Sequence, residues 1–131
     1  MCTAYGISTF VYNPLAGGLL TGKQPQEQPL PGTRFDGNQQ YLERYWHQQS
    51  FTAVADLKRI ALHARRTMIG MSLCWLLHHT QATGIILGAS TKEQLAANLK
   101  EAELGPLKAE TVAQCNVVWE RLRGVTPKYN R

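Results

Sequence analysis

The sequence predicts an α/β fold with about two parallel strands and four to five helices. Two short apolar segments, Ile7–Tyr12 and Gly84–Leu87, are separated by helical patterns, and strands separated by helices pair in parallel through a right-handed crossover. Two strands leave both sheet edges unpaired and have too few flanking helices to cover their faces. A complete (β/α)8 barrel takes roughly 250 residues, so the 131-residue chain is expected to be part of a barrel.

Composition and charge narrow the classes of function. Hydrophobic residues make up 44% and charged residues 18% of the chain, which is typical of a globular domain, and we expect residues 1–131 to form a single partial domain. The net charge of +5 comes without a run of five or more basic residues. This disfavours a nucleic-acid groove but allows a site for a small polyanion.

The cysteines and the hydropathy pattern indicate the cellular compartment of the protein. Cys2, Cys74 and Cys115 are odd in number and widely spaced, which is typical of reduced thiols in a cytoplasmic protein. Cys74 and Cys115 fall in apolar helical patterns and are expected to be buried. No segment approaches the ~20 apolar residues of a membrane span, and we expect no secretory leader.

The first third of the chain is predicted to contain one strand and one long loop. Cys2–Tyr5 is interpreted as the tail of a helix, and Ile7–Tyr12 is β-branched and aromatic, as strands are. Asn13–Asn38 contains four prolines and five glycines and predicts a loop. Loops of this length within a compact domain are usually functional or disordered.

Helical patterns follow this loop. Residues 48–65 have apolar residues every three to four positions, and Ser72–Thr80 is apolar almost all round, which predicts a deeply packed helix. After Gly84–Leu87, the run Ser90–Glu93 fits a capping box with Ser90 as the N-cap. That helix is expected to end at Gly105-Pro106 and to bury Leu95, Leu99 and Ala102. A last helix, over residues 108–122, is expected to place on one stripe Val112, Cys115, Val118, Trp119 and Leu122.

The first candidate site is the glycine-rich segment Asn13–Lys23, directly after a strand. Gly17 and Gly18 allow a ligand to approach the backbone closely, and Gly22 allows positive φ. Lys23 offers a cation for a pyrophosphate. The pattern is equally consistent with a turn that only reverses the chain, and it does not match a Walker loop.

The second candidate site is the start of the helix after the second strand. Free amides and the positive end of the helix dipole favour a phosphate there, and the first turn adds the donors Ser90, Thr91 and Lys92. Gln94 and Asn98 are four residues apart and so share one helix face. Taken alone, this pattern is more typical of an ordinary capped surface helix.

Four motifs in combination resemble the aldo-keto reductases, most closely the branch that includes the aflatoxin aldehyde reductases. The first is the run Tyr12–Lys23. The other three are Arg34-Phe35-x-Gly37-Asn38, Tyr41-x-x-Arg44-Tyr45-Trp46 and Ile86-Leu87-Gly88-x-Ser90-x-x-x-Gln94-Leu95-x-x-Asn98. The ending Pro127–Arg131 is also similar, so the resemblance covers essentially the whole chain.

The resemblance implies a (β/α)8 barrel that reduces aldehydes and ketones with NADPH. Residues 7–12 would be its seventh strand and residues 84–88 its eighth, which makes this chain the C-terminal part of the barrel. The bound cofactor is expected to be NADP(H) rather than NAD(H). The residues implied to border the nicotinamide and pyrophosphate are Asn13, Pro14, Leu15, Ala16, Gly17, Gly18, Leu19, Leu20, Thr21, Gly22 and Lys23.

The same resemblance implies the rest of the cofactor site and a substrate pocket. The residues implied to hold the adenosine 2′-phosphate end are Ser90, Thr91, Lys92, Gln94 and Asn98. The residues implied to line the pocket for a small carbonyl substrate are Tyr41, Arg44 and Arg131. The two arginines would attract acidic groups of that substrate.

The resemblance also implies a limit on activity. The family's catalytic tetrad of Asp, Tyr, Lys and His lies on the first four strands, for which this chain has no matching motif. We therefore expect no carbonyl reduction by this chain alone. The alternatives are a non-catalytic NADP(H)-binding or regulatory module and a non-functional truncated remnant. Exposed sheet edges are expected to favour self-association, and neither nucleic acid nor membrane is an expected partner.

Overall fold

The computed structural model describes residues 2–122. Within this range the strands and α-helices are β1 (Phe10–Tyr12), α1 (Gln39–Tyr45), α2 (Gln48–His63), α3 (Met68–His79), β2 (Gly84–Ile86), α4 (Lys92–Ala102) and α5 (Ala109–Leu122). Two 3₁₀ helices cover Cys2–Tyr5 and Ala16–Thr21. The predicted fold class, with about two parallel strands and four to five helices, is confirmed. Within the described range, no helix is both long and apolar enough to cross a membrane.

The two strands pair in parallel, with Phe10 opposite Gly84 and Tyr12 opposite Ile86. Each strand has three residues, so the predicted spans of residues 7–12 and 84–87 are too long. Before β1, side-chain bonds are added to the backbone pairing at Thr9: its amide donates to Thr83 Oγ1 at 3.0 Å, its hydroxyl donates to the Gln81 carbonyl, and its carbonyl accepts from the Thr83 amide at 2.7 Å.

The sheet is poorly covered by the rest of the described chain. Phe10, Tyr12 and Ile86 are 64%, 65% and 57% exposed. A Cβ at Gly84 would lie 2.8 Å from the Phe10 ring, so a side chain there would displace this exposed ring. The strands therefore pair with each other but bury few of their own apolar side chains.

The main core lies between the helices rather than on the sheet. Its buried members are Ala61, Met68, Met71, Cys74, Leu107 and Cys115.

Helix α2 ends two residues before the predicted boundary. Helix α3 begins four residues before its predicted start, because Thr67 Oγ1 caps α3 by accepting from the Gly70 amide at 2.9 Å. Cys74 and Cys115 are buried as predicted, and burial raises the pKa of both thiols.

Helix α4 differs from its prediction in both its cap and its buried face. Thr91, not Ser90, is the N-cap: its hydroxyl oxygen accepts from the Gln94 amide at 3.2 Å. Leu95 and Leu99 are 41% and 48% exposed, whereas Asn98 is only 7% exposed. The predicted burial of the two leucines is therefore wrong.

The contact between α4 and α3 explains which face is buried. Cys74 Sγ donates to the Glu101 carbonyl at 3.4 Å, and a Cβ at Gly70 would overlap Glu101 Oε2. The missing side chain at Gly70 thus lets the Glu101 side of α4 approach α3, which turns Leu95 and Leu99 outward. The connection that follows is held by His79, whose Nε2 accepts from the Leu107 amide at 3.0 Å.

Helix α5 matches its predicted span to within one residue, but its buried stripe is shifted. Thr111, Cys115 and Val118 are buried, whereas Trp119 is 57% exposed and so does not belong to the buried stripe. Asp56 ties α2 to α5 through an ion pair with Arg121 at 2.7 Å.

The segment predicted to be a loop, Asn13–Asn38, is ordered by a second core cluster. Leu19 and Phe35 pack with Phe51 of α2, and Phe35 has no exposed surface. Helix α1 follows directly and was not predicted. It begins after Asn38, whose side chain accepts from the Tyr41 amide at 3.3 Å.

Candidate functional site

The two predicted cofactor segments leave the same end of the sheet. Because β1 and β2 run parallel, with Tyr12 opposite Ile86, the residues after each strand emerge side by side. The carboxyl ends of parallel strands are where α/β barrels place their chemistry. The structure therefore brings Asn13–Lys23 and the segment that begins at Leu87 to one edge.

Asn13 is the best-anchored residue of the first segment. Its backbone is left-handed, with φ 57°. Its Oδ1 accepts from the Gly17 amide at 2.7 Å, and its Nδ2 donates to Tyr45 Oη, also at 2.7 Å. This side chain therefore links the start of the segment to its glycine turn and to α1.

The two adjacent glycines face different surroundings. A Cβ at Gly17, where φ is 70°, would lie 2.7 Å from the Tyr41 ring and 3.3 Å from Phe35, so only glycine fits there. At Gly18, where φ is 104°, no described heavy atom would lie within 4 Å of a Cβ. Close approach by a ligand is thus available at Gly18, whereas Gly17 is closed by protein.

Most backbone amides of this turn are already bonded within it. Ala16 donates to the Asn13 carbonyl at 3.0 Å, and Gly18 donates to the Leu15 carbonyl at 2.9 Å. Leu20 also donates to Leu15. An anion at this segment would therefore depend chiefly on the exposed side chain of Lys23 rather than on a cradle of free amides.

Arg34 lies between the second segment and Tyr41 of α1, and sequence reasoning did not assign it to the site. Its Nη2 would lie 3.1 Å from a Cβ at Gly88, just after β2. Its Nη1 donates to Tyr41 Oη at 3.5 Å. The sequence signal that could have assigned Arg34 to the site is the Arg-Phe-x-Gly-Asn motif, because it places a cation directly before the fully buried Phe35.

The residues predicted to bind the cofactor in the second segment do not all lie on one exposed surface. Ser90, Thr91, Lys92 and Gln94 are exposed at the start of α4. The Ser90 amide donates to Gln94 Oε1 at 2.9 Å, so that oxygen is engaged in the cap. Asn98 is buried, so of the two residues predicted to share a helix face only Gln94 has an exposed side chain.

Two of the three predicted substrate residues lie together on α1. The Arg44 guanidinium carbon lies 6.0 Å from the ring centroids of both Tyr41 and Tyr45. Tyr41 also touches the glycine turn, as described above, so α1 joins the predicted substrate residues to the predicted cofactor segment. Arg131 lies outside the described residues.

An apolar groove lies next to this site, and the chemistry of its lining is different. It has a volume of about 250 Å³ and borders the first segment at Pro14 and Leu20. Its other side is formed by α2, α3 and α5, with Trp75 and Trp119 among the lining residues. This lining offers no cation for a phosphate. Over residues 2–122, no cluster of three or more His, Cys, Asp or Glu side chains is arranged to hold a metal ion.

Comparison with known proteins identifies the family. The model of the aldo/keto reductase family matches residues 1–120. The chain is 38% identical to aldo-keto reductase family 7 member A3 of Homo sapiens, over 97% of this chain and 43% of that protein. It is 37% identical to aflatoxin B1 aldehyde reductase member 2 of Rattus norvegicus, over 97% of this chain and 39% of that protein.

Solved structures agree on the fold. The glycerol dehydrogenase from Gluconobacter oxydans superimposes with a TM-score of 0.73 at 17% identity, over 98% of this chain and 38% of that one. The chain thus spans about two fifths of the length of the relatives it matches. It has the fold of part of a (β/α)8 barrel, and it belongs to the aldo/keto reductase family.

Proposed function

We propose that this chain supplies the cofactor-binding side of an NADPH-dependent aldo/keto reductase and does not reduce carbonyl compounds alone. The observation that supports this proposal is the meeting of both cofactor segments at one sheet edge, with Arg34 beside Gly88. Residues 1–131 then act as a single partial domain, and the substrate of the whole reductase is a small carbonyl compound.

The cations near this edge support NADP(H) over NAD(H). Lys23 and Lys92 are exposed, one on each segment, and the Arg34 guanidinium lies beside Gly88. The start of the eleven-residue helix α4 adds the positive end of its dipole. The 2′-phosphate is the only group that distinguishes NADP(H) from NAD(H), so a preference for it follows from the charge of Lys92 and the hydroxyl donors of Ser90 and Thr91.

Tyr41 and Arg44 are proposed to contact the substrate. Arg44 is held against the rings of Tyr41 and Tyr45, and its guanidinium favours substrates with a carboxylate. Bound NADPH would supply the hydride, while this chain would bind and orient the cofactor. The proton for the carbonyl oxygen requires a general acid, and the resemblance assigns that group to strands without a counterpart here.

A non-catalytic NADP(H)-binding module is the second candidate function. Its support is that the segment Asn13–Lys23 is folded by contacts within this chain, chiefly the Phe35 cluster and Asn13. The segment needs no further strand for its shape. A cytoplasmic location fits both candidates, because Cys74 and Cys115 are unpaired thiols.

Calorimetric titration with NADPH and NADH tests the proposal. We expect tighter binding of NADPH, and we expect Lys92→Gln to reduce that preference by about fivefold, the effect of one charge-assisted contact. Lys100→Gln, in the last turn of the same helix, is the matched control and should leave the preference unchanged. Equal affinities would exclude the 2′-phosphate site, and no binding of either cofactor would favour a non-functional remnant.

Self-association through the sheet is a further part of the proposal. The side chains of Phe10, Tyr12 and Ile86 are mostly exposed, and neither strand contains a charge or a proline that would block pairing of its edge. Size-exclusion chromatography with light scattering should show a mass that rises with concentration. Ile86→Lys should lower that mass, and an unchanged monomer mass for the wild type would contradict this part.

A further inference from the structure

Asn13 has an unfavourable backbone conformation that its surroundings must stabilise. Its φ of 57° lies in the left-handed region, which non-glycine residues seldom occupy. The next residue is Pro14, and a following proline favours an extended conformation. Such a conformation persists only where neighbouring contacts over-determine it.

Three hydrogen bonds provide those contacts, and one of them comes from a distant element. The Asn13 carbonyl accepts from the Ala16 amide, and Oδ1 accepts from the Gly17 amide. Because an amide N–H must face an oxygen, Oδ1 points to Gly17 and Nδ2 points to Tyr45. Tyr45 Oη is therefore the acceptor of the remaining bond, across 32 residues of sequence.

The Tyr45 hydroxyl is itself placed by the second core cluster. The Tyr45 ring meets the Phe35 ring edge-on, with centroids 6.3 Å apart and an interplanar angle of 85°. Phe35 is completely buried. Tyr45 also lies next to Tyr41 in the helix, at a centroid distance of 5.9 Å, so its position is fixed from two sides.

We infer that Tyr45 is a positioning residue for the cofactor segment. Acting through the Asn13 side chain, its hydroxyl holds the turn Ala16–Gly18 in the shape that leaves Gly18 open to a ligand. The inference rests on the proposed function in one respect, namely that this turn borders the nicotinamide cofactor. Its structural part concerns the Gly17 amide and does not require bound cofactor.

The test is Tyr45→Phe, which keeps the ring and removes only the acceptor oxygen. We expect hydrogen exchange of the Gly17 amide, followed by NMR, to accelerate about fivefold, and the NADPH dissociation constant to rise by a similar factor. Tyr5→Phe removes a hydroxyl from a side chain that is 75% exposed and is the matched control. In the double variant with Asn13→Ala, the loss should not exceed that of Asn13→Ala alone.

The outcomes separate this inference from the proposed function. Unchanged exchange at Gly17 in Tyr45→Phe overturns the inference, and so does an equal acceleration at buried amides of α2 such as Ala61, which would indicate a general packing role. If wild-type chain binds no NADPH while Gly17 exchange accelerates selectively, the proposed function fails and the structural role of Tyr45 is supported.

Discussion

The loop region and the sheet region of this chain differ in a way that their secondary structure does not suggest. The loop region, Asn13–Asn38, has only one short 3₁₀ helix, yet it contains the completely buried Phe35 and is tied to α1 by Asn13. The sheet has regular parallel pairing, yet Phe10 and Tyr12 remain about two-thirds exposed. Local side-chain contacts, rather than regular hydrogen bonding, therefore determine which part of the site is formed within this chain.

The largest expected effect concerns activity. Reduction of a carbonyl compound needs a proton donor. If the sheet region of this chain does not supply one, the purified monodisperse chain should not oxidise NADPH in the presence of 4-nitrobenzaldehyde or succinic semialdehyde. A positioned general acid alone contributes about 10²–10⁴-fold, and orientation of the reactants adds more. Absorbance at the NADPH band measures the rate. Turnover that disappears in Lys23→Ala would refute the prediction, whereas activity restored by the amino-terminal half of a relative would support it.

Two phenylalanine variants compare the regions directly by stability. Phe35→Ala removes a fully buried ring from the loop region and should lower the free energy of unfolding by about 3–5 kcal/mol. Phe10→Ala removes a mostly exposed ring from β1 and should cost less than about 1 kcal/mol. Urea denaturation followed by circular dichroism measures both. A larger loss for Phe10→Ala would reverse the comparison.

Two glycine variants sharpen the same comparison. A Cβ at Gly17 or at Gly84 would lie 2.7 or 2.8 Å from an aromatic ring. Tyr41 is held in its cluster and Gly17 has positive φ, so Gly17→Ala should cost about 2 kcal/mol. The Phe10 ring is exposed and free to rotate away, so Gly84→Ala should cost less than about 1 kcal/mol. Equal losses in thermal denaturation would mean that the sheet is as rigid as the loop.

The smallest expected effect lies outside both regions and serves as a reference. The hydrogen bond from Arg121, with a further contribution from Arg59, lowers the pKa of Asp56 in the folded state. A lowered folded pKa stabilises the fold above the unfolded Asp pKa of about 3.9, and this contribution is lost as the pH falls through the folded value. Asp56→Asn should therefore be slightly less stable than wild type at pH 7, and the difference should shrink in acid. A difference that grows below pH 4 would contradict this assignment.

Sequence patterns predicted the helices better than the faces they bury. The repeat in residues 48–65 and the apolar run before Thr80 correspond to α2 and α3, because burial against other helices preserves a helical period. Leu95 and Leu99 form an equally good stripe, yet they are exposed. The face that α4 buries depends on the close approach of Glu101 to Gly70, and this contact is not visible in a periodic pattern.

The candidate site shows the same limit. Glycine spacing indicated the turn at Gly17 and Gly18, but it did not distinguish the glycine closed by Tyr41 from the one open to a ligand. Arg34 and Tyr45 act across the fold, onto Gly88 and Asn13, and contacts over such separations in sequence are not visible in a local motif. The unpredicted helix α1 brings Tyr41 and Tyr45 to the site.

The bond between His79 and Leu107 has a consequence for the imidazole of His79. Since Nε2 accepts from a backbone N–H, it has no hydrogen of its own, and the neutral ring must hold its hydrogen on Nδ1. The end of α3 thus selects one tautomer of His79, and the nitrogen chemical shifts of that ring report whether the connection between α4 and α5 is closed.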